Sequence, residues 1–164
     1  MGGNGGDGLA ARRAAVVATA VSQLGVREVG FNAGPDVEKY LRLVGSPPRS
    51  AWCSCFVSWC LRGGGVFTAR FGRARDWFDK RHIVWARGRG AAPQPGDVVG
   101  YEWDAGHVSH VELLEQWGAG PTPVTIGGNT RGAGRSREGD GVFRCWRDKR
   151  QITYAADVIA NPKY

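Results

Sequence analysis

Apolar residues recur at helical spacing in three stretches before residue 65, and beyond a proline-rich break they give way to short runs of strand character. The first stretch, 9–24, is alanine-rich, with Ala14, Val17, Val21 and Leu24 on one face and Gly25 as its stop. A second helix is expected to start with Pro35 at its first position; Val37, Tyr40, Leu41 and Val44 form its apolar stripe, and Gly45 ends it. Pro47 and Pro48 prevent its continuation. The third runs from Cys53 to the glycines at 63–65, with Cys53, Phe56, Val57 and Cys60 on one face and Cys55 roughly 200° from Cys53. That geometry makes Cys60 a packing thiol and puts Cys55, beside Cys53, where it is a redox liability. A short helix is expected at 73–78. After Pro93-Gln94-Pro95-Gly96 the pattern predicts strands at 97–103, 107–115, 124–127, 142–146 and 153–159, with a glycine-rich loop at 127–141 that is either mobile or substrate-facing. Helices first and an antiparallel sheet second define an α+β domain.

A chain of 164 residues can bury one core, assigned to 9–164 behind a flexible glycine-rich tail at 1–8. The net charge of +7 favours polyanionic partners, whether nucleic acid, an anionic membrane or the acidic polymers of a bacterial wall, and charge alone does not choose among them. Its arginines are scattered or glycine-flanked and lack a nucleic-acid-binding module, so no nucleic-acid partner is expected. No apolar run reaches the roughly 18 residues of a membrane span. The N-terminus lacks the basic-then-apolar order of a secretory signal, so a substrate outside the cytoplasm would imply delivery by another factor. Three of the four cysteines fall within eight residues, which is no disulfide scaffold. A zinc site drawn from Cys53, Cys55, Cys60, His107 and His110 lacks paired C-x-x-C spacing, and a monomer with no metal or cofactor is expected.

Cys53 carries the candidate chemistry. At a helix N-terminus its thiolate is stabilised by unpaired N–H groups and the helix dipole. His107, after Gly106, is the candidate base, and Asn129 the group that holds its tautomer. Trp52 would wall the acyl pocket, and Tyr40 is the candidate second oxyanion donor, although its place in the helical stripe favours core packing. Each has a plainer reading: cysteine is often interior, His107 suits a turn, and Gly-Gly-Asn-Thr favours a bend. His110 falls on the opposite strand face from His107 by alternation.

Trp52-Cys53 through Trp59, Gly106-His107-Val108, and Ile126-Gly127-Gly128-Asn129-Thr130 together resemble the CHAP-type cysteine peptidases and amidases, relatives of the NlpC-type cell-wall peptidases. Glu28, Asn32-Ala33-Gly34-Pro35, 37–40 and Pro95-Gly96-Asp97-Val98-Val99 add to the likeness. The resemblance implies a papain-like fold and cleavage of amide bonds in peptidoglycan, with Cys53 as nucleophile, His107 as base and Asn129 as third group. It also implies action at the wall, after delivery by a phage lysis system, a virion or an export machine. Gly127 stands where many family members carry an acidic residue, Ser54-Cys55 where small residues are common, and Ser109-His110 where the continuation is usually small and apolar. The glycine-rich loops beside Asn129 favour cleavage within the peptide over the lactyl amide. The competing function is a non-catalytic wall-binding module with a vestigial triad.

Overall fold

The computed structural model describes residues 4–104, 106–131 and 139–164. Three helices come first: α1 (Asn4–Val21), α2 (Pro35–Val44) and α3 (Cys53–Gly63). Strands β1 (Ile83–Ala86), β2 (Arg89–Gly90), β3 (Val98–Tyr101), β4 (His110–Gln116), β5 (Val124–Thr130), β6 (Gly141–Trp146) and β7 (Tyr154–Ala156) follow. They form one antiparallel sheet in the order β2-β1-β7-β3-β4-β5-β6, in which β7 inserts between the β1–β2 hairpin and β3. The architecture is the α+β arrangement expected, enlarged by a hairpin that the sequence pattern did not predict. No described helix is long and apolar enough to cross a membrane.

α2 and α3 follow their amphipathic patterns, and α2 ends at Gly45, whose left-handed φ of 77° lets its N–H close on the last carbonyls. α1 differs from expectation. It begins at Asn4, inside the stretch assigned to a tail, and it buries Val16 and Ala20, whereas Ala14 and Val21 face solvent. An alanine-rich helix is nearly uniform in hydropathy, so tertiary packing chooses the face. Here the choice is made by Gly64, where an added Cβ would lie 2.4 Å from a Val16 methyl, and by Arg13, which reaches Asp97 at 2.6 Å and Asp157 at 2.5 Å.

The main core lies between the helices and one sheet face, where Phe56, Val57, Cys60 and Leu61 of α3 meet Val111, Leu113, Ile126 and Val142. The other face carries a smaller cluster of Trp85, Val99, Tyr101, Leu114, Ile152 and Ala155. Alternation along β4 therefore turns Val111 and Leu113 to the helices and His110, Glu112 and Leu114 to the second face. At 132–138 the predicted glycine-rich loop lies outside the described residues, as do 1–3 of the expected tail.

Candidate active site

Cys53 is the first residue of α3, and Trp52 before it provides no side-chain cap. The first-turn N–H groups have no carbonyl partners within the helix, and the positive end of the helix dipole falls on the sulfur. All four cysteines are free and buried. Burial pushes Cys55 up to about 11, although Ser46 lies 3.4 Å from its sulfur, and it pushes Cys145 up to about 12 and Cys60 well above the ordinary thiol range. Cys53 alone among them goes the other way. Burial opposes its ionisation too, but the hydrogen bond and charge of His110, with the backbone N–H groups of Val111 and Ser54, bring the thiol below its usual value.

His110 is wholly buried at the start of β4. Burial disfavours its charge, yet hydrogen bonds to Cys53 and Glu112 and the charges on both raise it to about 9. Its Nε2 lies 3.1 Å from Glu112 Oε1. Nδ1 has no conventional hydrogen-bond partner and is the ring nitrogen left for the thiol. The ring stacks on Trp103 at 4.7 Å and 11°. Stacking and the bond to Glu112 together fix the imidazole plane and its tautomer.

Glu112 is saturated with donors. Oε1 accepts from His110 and from Arg147 Nε and Nη2, the latter two at 2.9 and 2.7 Å; Oε2 accepts from Tyr101 Oη at 3.1 Å and Thr125 Oγ1 at 2.5 Å. Burial opposes its ionisation, but His110 and Arg147 hold the carboxyl well below the usual range. The pairing of Leu113 with Ile126 and Leu114 with Thr125 puts Glu112 across from Gly127. A Cβ on Gly127 would lie 2.7 Å from Glu112 Cγ. The carboxylate thus comes from β4 and occupies the volume that a side chain on β5 would need.

The other expected site residues are placed differently. His107 is exposed in the turn before β4, bridged to Asp104, and it is His110 that interacts with the Cys53 thiol. The expectation that the strand begins at 107 put the wrong histidine at its start. Asn129 is buried but does not meet the imidazole. A register shift between Gly127 and Thr130 turns it out of alternation with φ 55°, and its Oδ1 accepts from Trp52 N at 3.4 Å. Its Nδ2 donates to Asn32 Oδ1 and Gly139 O, both at 3.0 Å, and more distantly to Glu28. Trp52 is fully buried, stacked on Tyr40 at 5.5 Å, with its indole N–H on Glu28 at 2.8 Å; it supports the helix start and does not wall an open pocket. Tyr40 gives its hydroxyl to Gln23 at 2.8 Å, and burial foremost raises its pKa, so its part is core packing.

His110-Val111-Glu112 contains the signal that sequence reasoning passed over. Two residues apart on a strand, an imidazole and a carboxylate share a face, and Gly127 leaves room for the acid. Nothing local marks Arg147, which comes from beyond β6.

The CHAP domain model matches residues 45–129, slightly more than half of the chain and inclusive of Cys53, His110 and Glu112. The chain belongs to the CHAP domain family. As a CHAP domain it is a cysteine peptidase or amidase. Among solved structures it is similar to the peptidoglycan hydrolase RipB of Mycobacterium tuberculosis, with 20% identity, 96% of this chain and 73% of that chain covered, and a TM-score of 0.55. At that identity the likeness shows the fold, an α+β arrangement of papain-like type. No curated protein matches this CHAP domain.

Proposed function

We propose that this CHAP domain hydrolyses amide bonds of bacterial peptidoglycan through an acyl-enzyme on Cys53, with His110 as the base and Glu112 as the group that orients it. The row Cys53, His110, Glu112 carries the reading, because it joins the one thiol lowered by its surroundings to an imidazole held by a buried carboxylate. The Cys53 thiolate attacks the carbonyl carbon, and the oxygen of the tetrahedral intermediate takes its negative charge toward the N-terminus of α3. The imidazolium gives its proton to the departing amine. His110 then draws a proton from water, whose oxygen attacks the thioester and releases the carboxylic acid and the thiolate.

Peptidoglycan is supported by the family and by the fold shared with a peptidoglycan hydrolase. The +7 charge suits retention on anionic wall polymers outside the cytoplasmic membrane. Within that substrate we favour a peptide bond of the stem or cross-bridge over the lactyl amide, and action as a monomer. The deciding experiment is mass spectrometry of intact sacculi digested with wild-type and C53A protein. Separated stem peptides still joined to lactyl groups are expected, and only from wild type. Naked glycan with free N-terminal L-alanine would replace peptidase by amidase, and binding with no released product would refute hydrolysis.

A further inference from the structure

Among the described residues, the groups around the thiol form a connected charge set. Cys53 faces His110 from β4 and Cys55 from its own helix. His110 faces Cys53 and Glu112, and its ring lies against Tyr101 and Trp103. Glu112 faces His110, Arg147, Tyr101, Thr125 and Cys145. With the reactive pair ionised, thiolate and imidazolium cancel, and Glu112 would leave one negative charge in a buried site. Arg147, itself only 4% exposed, supplies the missing positive charge. Its fork grips Glu112 Oε1, Nη2 reaches Thr130 Oγ1 at 2.9 Å, and the guanidinium lies over the rings of Trp103 at 4.8 Å and Tyr101 at 5.5 Å.

We propose that Arg147 is a positioning residue of this hydrolase: by neutralising Glu112 from beyond the imidazole, it permits the thiolate–imidazolium pair of Cys53 and His110 to exist in a buried site. An uncompensated buried charge is relieved most cheaply by taking up a proton, on the thiolate or on Glu112, and either uptake costs the pair, because a neutral Glu112 holds the imidazolium less well. Arg147 therefore acts on the nucleophile through two intervening side chains, without touching substrate. The inference rests on the catalytic row proposed above, and its test does not need substrate.

The test is the pH dependence of Cys53 alkylation by iodoacetamide, read by mass spectrometry on the peptide that carries Cys53. Wild type should be alkylated below the ordinary thiol range. In R147M the alkylation limb should move upward by at least about one pH unit, which is about tenfold slower reaction at a pH on the limb. R147K, which keeps the charge and loses the fork, should stay closer to wild type than R147M does. A folded R147M with the wild-type limb would overturn the proposal. If R147M does not fold, E112Q and E112Q/R147M read the same charge, and the double variant should titrate higher by a similar amount; coincident limbs in those two would overturn it. A wild-type limb at ordinary thiol pH would instead overturn the thiolate–imidazolium reading itself.

Discussion

Two polar networks converge on the start of α3, and they differ in kind. On one side, His110, Glu112 and Arg147 form a buried ionic row in which every contact bears on a proton or a charge. On the other, Asn129, Asn32, Trp52 and Gly139 are neutral groups, joined by Glu28, that hold backbone segments together. The first network tunes the reactivity of the sulfur. The second sets where the sulfur sits. A polar residue near a nucleophile is therefore no evidence of participation in its chemistry; what it donates to, and whether a charge is involved, decides the matter.

The histidines separate the networks most sharply. H110A should lower kcat/KM for wall hydrolysis by about 10³-fold or more, in the range of lost acid–base catalysis. H107A, in the exposed turn, should stay within about twofold of wild type. Equal losses in the two would dissolve the distinction. E112Q comes next, with kcat lowered about 10²-fold and a signature in pH. Because Cys53 and Glu112 raise His110 to about 9, activity of wild type should fall on the alkaline side near that value, and E112Q should move the fall to lower pH. The linkage sign is the same: stability from charged His110 is full below its unfolded value of roughly 6.5 and is lost as pH rises through about 9.

N129A should act on the fold more than on the chemistry. It removes acceptor and donors for three buried partners and places alanine at a φ of 55°, a cost of about 2–4 kcal/mol by urea denaturation, with activity per folded molecule within about tenfold. A loss as large as that of H110A, with stability unchanged, would return Asn129 to the catalytic row. Y40F is the smallest change. Losing the bond to Gln23 should cost about 1 kcal/mol and leave the pH profile of hydrolysis as it is.

Much of this contrast lies beyond what residue order can reveal. The proposed nucleophile was legible because a cysteine at the start of an amphipathic helix needs only local pattern, and the same holds for α2, with Pro35 at its head and Gly45 at its end. The proposed base was not, because choosing between His107 and His110 requires the first residue of β4, and a turn closed by Asp104 and His107 delays it. Asn129 was read as the group that holds the tautomer of the base, but its partners depend on a bulge that period-two reasoning cannot see. The β1–β2 hairpin escaped for a related reason: its strands are four and two residues long, too short for a clear alternation. Arg147 is a tertiary arrival, 35 positions from the carboxylate it grips.

The volume in front of Gly127, filled by Glu112, has an evolutionary consequence. A carboxylate supplied from β5 and one supplied from β4 compete for one hole, so the two designs exclude each other sterically. Passing from one to the other by single substitutions leads through a protein with either no acid behind its histidine or two acids forced into the same space. Positions 112 and 127 are therefore epistatic: the fitness effect of a change at either depends on which residue stands at the other, and a lineage that has settled on glutamate at one strand is held to glycine at its neighbour.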